Sequence, residues 1–413
     1  MKSMVSLALA LAVTGATAGI AAAETLKIGF IDPLSGPFGP SGSAALEHWE
    51  FAAEHVNEGG GIGGMDVEIM AFDNKINPKE SLVQLQKAID NGIRIIVQGN
   101  GSSVASALID AINKHNARNP GEEVLFLNYA AVDPAFTNDR CSFWHFRFDS
   151  DADMKMEGVT DWVQNQDDIK KVYIIGQDYS FGKAVAAAAV KMLGEKRPDI
   201  EIVGNELHPL GKVKDFTPYV QKIINAEADA VITGNWGADM VLLIKAATDS
   251  GHKVPYLTYY AGSVGAAVAM GEDAVGLVKQ MSEMNTNLSM DDETGAFIDA
   301  FEDKFDPTSY YYHRVFNTMS MLDNAVDAAG STEPKDIAFA LEGATFESPF
   351  GTITMRADNH QILQPLFMST FTKDPLRGVE GLPLGWTSTD ADRIEAENTA
   401  TETTCVMERP ERG

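Results

Sequence analysis

The chain has 413 residues, 45% of them apolar, which exceeds one ordinary domain and is enough to bury two cores. A formal net charge of −27 at pH 7 repels nucleic acid and anionic lipid, so neither is an expected partner; the common use of such a balance is a well-solvated surface. The two cysteines, Cys141 and Cys405, lack the paired spacing of a zinc site, and no stretch beyond the N-terminal segment reaches the roughly 18 apolar residues of a membrane span.

In chain order, the first segment reads MKSMVSLALALAVTGATAGIAAAET: one positive charge at Lys2, an apolar core from Met4 to Val13, and Ala21, Ala22 and Ala23 ahead of Glu24. This is the pattern of a secretory signal peptide over residues 1–23, so the mature chain is expected to be exported and to begin at Glu24. Removing Lys2 and no acid makes the mature chain one unit more negative, −28. No cysteine near the cleavage point argues for a lipid anchor. An oxidising compartment permits a bond from Cys405 back to Cys141, stapling the C-terminal tail; two free buried thiols are the alternative.

LKIGFIDPL (26–34) reads as a strand running into the loop SGPFGPSGS, followed by a helix with Leu46, Trp49, Phe51, Ala53 and Val56 as its apolar stripe. GGGIGG ends that helix, and MDVEIMAFD is the next strand. SLVQLQKAIDNG, IRIIVQG, SSVASALIDAINKHN and EVLFLNYA continue as helix, strand, helix and strand. Strict alternation of this kind implies α/β architecture, a parallel sheet with helices on both faces. After FRFDSDAD the rhythm restarts: KKVYIIGQD, IEIVGNELHP, ADAVITGNW and VPYLTYYA as strands, with amphipathic helices between them, make a second doubly wound unit. Two further helices follow, then a hairpin-like stretch GTITMRADNHQILQPLFMSTF and, from about Thr387, a polar tail.

Most motifs fail on context. GGGIGG has the spacing of a dinucleotide fingerprint but lies after a helix and before a strand, the reverse of what a pyrophosphate on a helix N-terminus requires. DSDAD lacks the glycine and the glutamate of a calcium loop: Met154 and Thr160 stand there. AGSVG is one glycine short of a nucleophile elbow around Ser263, and the eight histidines show no metal-ligand spacing, so no catalytic residue, metal or cofactor is expected. QGNGSS (98–103), between a strand and a helix, lacks the lysine of a nucleotide loop. It keeps the chemistry that needs none: helix N-terminal N–H groups and serine hydroxyls for a small anion, against the plainer reading of a serine that only caps its helix.

The stretches IGFIDPLSGPFGPSG (28–42), INPKESLVQLQKAIDNGIRIIVQGNGSSVASA (76–107), LNYAAVDPAFT (127–137), VYIIGQDYSFGKAV (172–185), DAVITGNWGADMV (229–241) and YYYHRVFNTMSML (310–322) resemble the periplasmic solute-binding proteins of branched-chain amino acid ABC importers, the Leu/Ile/Val-binding type. The resemblance implies a Venus-flytrap: two Rossmann-like lobes joined by three crossovers, lobe one at 24–147 and 287–357, lobe two at 148–286 and 358–413. It implies a monomer in the periplasm that traps a small molecule between the lobes and delivers it to a membrane permease. Carried over to this chain, the ligand contacts are Phe38, Ser102, Ser103, Ala130, Ala131, Val132, Tyr179, Phe181, Trp236, Tyr260 and Ala261. Ser102, Ser103, Ala130 and Ala131 match the loops that hold the α-carboxylate, and Trp236 an aromatic of lobe two. Val132 stands where the family has a threonine, and Ala261 where it has the glutamate that pairs the α-ammonium. Asp239 or the hydroxyls of Tyr259 and Tyr260 are the candidates to replace that acid. Family membership therefore favours an aliphatic L-amino acid, while the departures favour a carboxylate or amide without an ammonium, aromatic ones included. A sensory receptor in place of the permease would use the same closure; a hydrolase would need a nucleophile and base that the chain does not offer.

Overall fold

The computed structural model describes residues 25–285, 287 and 293–412; the expected signal peptide and Glu24 lie outside the described residues. The first sheet is parallel throughout, in the order β2-β1-β3-β4-β5, with β1 at Thr25–Asp32, β2 at Asp66–Asp73, β3 at Ile95–Gln98, β4 at Leu125–Asn128 and β5 at His145–Arg147. Side chains alternate across it. Ile28, Phe30, Ile95, Val97, Leu125 and Leu127 join Trp49 and the alanines of helix Gly39–Glu58 on one face. Ile31, Ile96 and Phe126 join Val104, Leu108 and Ile112 of helix Ser102–Arg118 on the other. Both faces of the sheet are thus covered, as a parallel sheet demands.

The second sheet contains β6 (Lys171–Gln177), β7 (Glu201–His208), β8 (Ala230–Thr233), β9 (Tyr256–Thr258) and β10 (Val278–Ser282) as its parallel part, ordered 10-9-8-6-7. A small antiparallel sheet of β11 (Thr345–Ser348), β12 (Gly351–Met355) and β13 (Ile362–Leu363) then precedes β14 (Leu366–Lys373) and β15 (Leu384–Thr387), which extend the second sheet, β14 antiparallel to β10 and β15 antiparallel to β14. The molecule is a two-lobed α/β protein, and the chain passes between its sheets after Arg147, after Ser282 and after Leu363.

Three sequence expectations change. The glycine-proline loop is already helical from Gly39, because Pro40 suits a first turn and Gly42 lets that turn lie on the end of β1; a Cβ at Gly42 would stand 1.7 Å from the Pro33 carbonyl oxygen. The stretch 351–371 is a hairpin only in its first part, where β12 pairs antiparallel with β13, while β14 crosses to the second sheet and pairs with β10. Strands β10 and β15 carry too little pattern to be read from sequence. The tail leaves the second sheet and returns to the first lobe: Thr403 Oγ1 donates to the Thr137 carbonyl (2.7 Å), Arg409 pairs with Glu342 (2.8 Å), and Cys405 is bonded to Cys141 across 264 residues.

Arg147, fully buried where the chain first leaves lobe one, ties the connections together. Its Nε donates to Gln361 Oε1 (2.6 Å) and its Nη2 to Asp151 (3.0 Å), while Gln361 Nε2 donates to the Asp149 carbonyl (2.9 Å). A charge in so dry a place is tolerated because each donor has an acceptor.

Candidate functional site

Between the lobes lies a cavity of about 430 Å³, walled by the loops that follow the C-terminal ends of strands from both sheets. Gly99, Asn100 and Gly101 after β3 and Ala130, Ala131 and Val132 after β4 come from one side; Tyr179 and Phe181 after β6, Trp236 after β8, and Tyr260 and Ser263 after β9 come from the other. Ser41 and the segment Tyr311, Tyr312 and Arg314 complete it.

The loop after β3 is built by Asp32, which ends β1 fully buried. Its carboxyl accepts from Gly99 N (3.1 Å), Asn100 N (2.9 Å), Gln98 Nε2 (3.4 Å) and the Tyr129 hydroxyl. Burial pushes this carboxyl up to about 7 in spite of its donors. Both glycines are required: a Cβ at Gly99 would meet the Tyr129 ring at 2.6 Å, and Gly101 holds φ +91° with Ile76 at 2.7 Å from its absent Cβ. Gly101, not a serine, is the N-cap of helix Ser102–Arg118, and no side chain caps it, so the plainer reading of the serines as caps fails. Ser102 is buried in the cavity wall, whereas Ser103 is exposed and does not line the cavity.

The backbone donors assigned to the next loop are spent internally. Asn128 Oδ1 accepts from Ala131 N (2.7 Å) and Ala130 N (3.2 Å), so these residues shape the wall without offering those N–H groups. What remains for an anion on this side is Ser102 with the N–H groups of Ser102 and Ser103, since Val104 N and Ala105 N already donate to the Gly101 carbonyl (3.0 and 3.2 Å).

Aromatic side chains close the cavity. Phe38 does not line it; its ring packs on Trp236 at 4.3 Å between centroids and joins the two lobes there, with Gly237 at φ +55° leaving room for it. Trp236 Nε1 donates to the Tyr179 hydroxyl (2.8 Å). Ala261 is fully buried and lines an adjoining cavity instead. Of the three proposed substitutes for the missing glutamate, the two hydroxyls are engaged, and Asp239, whose Oδ1 has no hydrogen-bond partner, does not line the cavity. Asp239 Oδ2 accepts from Gln177 (2.8 Å) and Gly211 N (2.8 Å) outside the cavity. The Tyr259 hydroxyl donates to the Ala152 carbonyl (3.0 Å) and that of Tyr260 to Asp149 (2.8 Å).

The residue that sequence reading missed is Arg314. It is buried at the start of helix His313–Ala329, with Nη1 2.7 Å from Glu283 and Nε 3.7 Å from Asp149, which is paired in turn with Lys155 at 2.7 Å. Nη2, also buried, has no hydrogen-bond acceptor. Burial opposes the guanidinium's charge, yet Glu283 and Asp149 outweigh it and raise its pKa well above the ordinary value. Burial likewise pushes Glu283 up, and Arg314 and Lys155 overcome it to hold that carboxyl below its usual range. Among the described residues lining the cavity, Arg314 is charged and no aspartate or glutamate occurs. The signal was present in YYYHR, three tyrosines and an arginine at the start of an amphipathic helix, but nothing local says which way they face.

A sheet-end cleft between two doubly wound lobes has known counterparts. Residues 25–375 match the family model for periplasmic binding proteins. The chain belongs to that family. Leu/Ile/Val-binding protein homolog 4 of Brucella abortus is 32% identical to this binding protein over 97% of this chain and 96% of that one. A crystal structure of a leucine-, isoleucine-, valine-, threonine- and alanine-binding protein from Brucella ovis, in a closed conformation, superposes with a TM-score of 0.82 at 30% identity, covering 94% of this chain and 100% of that one. A solute-binding protein from R. palustris crystallised with benzoate gives a TM-score of 0.76 at 20% identity, covering 92% and 99%, a likeness of fold. The relatives of this chain are thus solute-binding proteins, a class that captures small molecules and is not one of enzymes.

Proposed function

We propose that this protein is exported to the periplasm through its N-terminal segment, traps a small carboxylate lacking an α-ammonium group, aliphatic or aromatic, and delivers it to a membrane permease. The observation that carries the reading is Arg314: a buried guanidinium with an open Nη2 in a cavity without an acidic side chain. A ligand carboxylate would take charge-assisted hydrogen bonds from Arg314, Ser102 and the helix N-terminus. The Arg314, Glu283, Lys155 and Asp149 group is formally neutral, so these directed donors, not a surplus of charge, would hold the anion. An ammonium in the same cavity would be buried without an anionic acceptor, at a cost of about 1–3 kcal/mol or more. Binding one lobe and then the other would shift the open/closed equilibrium by no more than the ligand's preference for the closed form.

The second reading, an aliphatic amino acid, is favoured by the relatives in Brucella, which are named for binding leucine, isoleucine and valine. Thermal shift and calorimetry with leucine, 4-methyl-2-oxopentanoate and benzoate separate the two. The proposal expects the keto acid or the aromatic acid to stabilise the protein and leucine to have little effect; stabilisation by leucine alone would overturn it.

A further inference from the structure

Behind Tyr311 the cleft continues. A cavity of about 370 Å³ shares Ser263, Tyr311 and Tyr312 with the Arg314 cavity, and a third of about 620 Å³ shares Gly262, Tyr311 and Trp386 with the second. Tyr311 lines all three and stands between the front and rear spaces. Its position depends on Gly262: a Cβ there would lie 2.3 Å from the Tyr311 ring and 3.3 Å from Gln280 Nε2. His48 holds the backbone of the same residue, its Nε2 accepting from Tyr311 N at 2.9 Å.

The rear space carries more acid than base: Arg377 and Glu302 line its far part, and Glu380, whose carboxylate accepts from Gly265 N, lines its near part, which suits a hydrogen-bond donor and disfavours a second carboxylate. Arg377 is paired with Asp299 (2.6 Å) and Glu302 (3.5 Å), so it offers a ligand little net charge. Two buried neutral side chains are left incomplete, Gln280 Oε1, 1% exposed, and Ser263 Oγ, 6% exposed, which have no hydrogen-bond partner; Glu380 Oε2 and Arg377 Nε in the same space lack one as well. A buried acceptor without a donor is costly, and two of them lining adjoining cavities point to a group that supplies N–H or O–H. Trp386 and Tyr311 provide flat apolar walls beside them, which suits a planar amide.

We propose that the compartment behind Tyr311 is a second subsite, which receives the neutral amide or hydroxyl end of an extended ligand. That the ligand's other end is a carboxylate on Arg314 rests on the function proposed above; the rear subsite itself rests on Gln280, Ser263 and Gly262.

Calorimetry on the mature protein with three probes tests this: benzoate, 4-acetamidobenzoate and the neutral acetanilide. The expected result is that 4-acetamidobenzoate binds at least tenfold more tightly than benzoate. Gln280→Leu should remove that advantage and leave benzoate unchanged, and Ser263→Ala should remove part of it. The paired substitution Arg314→Gln with Glu283→Gln should weaken both carboxylate affinities at least tenfold, while acetanilide still binds in a Gln280-dependent way. If carboxylates do not bind but acetanilide does, and Gln280→Leu weakens it, the carboxylate reading fails and the rear subsite stands. If 4-acetamidobenzoate and acetanilide fail to bind, or bind equally well to wild type and Gln280→Leu protein of normal thermal stability, the compartment holds only water and the proposal is overturned.

Discussion

Removing the cavity's guanidinium tests the central claim, provided that binding is separated from folding. Arg314→Gln alone strips Glu283 of a partner 2.7 Å away while both side chains are 2% exposed. An orphaned buried carboxylate of this kind costs about 3–5 kcal/mol of stability, so lost binding in the single variant would be ambiguous. Combining it with Glu283→Gln replaces the ion pair by two neutral amides of similar shape and should recover most of that loss. The ligand's loss should persist, because one or two charge-assisted hydrogen bonds of about 1.5–3 kcal/mol each are gone. At about 1.4 kcal/mol per decade, affinity falls by at least tenfold and by more than a hundredfold at the upper end. Urea unfolding gives the stability arm, and calorimetry with whichever carboxylate raises the thermal midpoint most gives the binding arm. A double variant that unfolds like wild type and binds the carboxylate within twofold of wild type would refute the assignment.

Three other outcomes follow from the geometry. Ser102→Ala should weaken carboxylate binding severalfold to tenfold, whereas Ser103→Ala, on the exposed side of the same turn, should leave it within twofold; equal effects in calorimetry would mean that the helix start is misassigned. Trp236→Ala should remove the ligand-induced change in tryptophan fluorescence and loosen the Phe38 contact between the lobes; an unaltered signal would place the responding tryptophan elsewhere. Acidification should destabilise the fold: burial pushes both His48 and His313 down to about 3, so each binds its proton in the unfolded chain near pH 6.5 and in the folded one only near 3. Their stabilising contribution is present above about pH 6.5 and is lost as pH falls toward 3. Asp32, raised to about 7, and Asp153, raised to about 6, act in the opposite sense, their contributions being lost as pH rises through those values, while His145 and His360, also pushed down by burial, add to the loss on acidification. Urea midpoints at pH 6.5 and 4.5 read the difference; a higher midpoint at pH 4.5 would contradict it.

The lobes were legible because their strands and helices announce themselves locally. Ile95, Ile96 and Val97 send side chains alternately to two cores, and Val104, Leu108 and Ile112 recur at helical spacing, so period and turn chemistry suffice to place them. QGNGSS was legible as a tight strand-to-helix turn for the same reason: glycines with no Cβ ahead of a helix mean a close approach, met here by the Tyr129 ring at Gly99 and Ile76 at Gly101. Tertiary structure decided which donors are open. Asp32, nearly 70 residues upstream, takes the N–H groups of Gly99 and Asn100, and Asn128 takes those of Ala130 and Ala131, leaving Ser102 and the helix start. It also brought Arg314 beside that loop, and carried Cys405 back to Cys141. Such placements depend on the order in which parallel strands pair and on where the chain crosses between sheets. Local pattern names the elements, and only long-range packing sets which loop ends meet in the cleft.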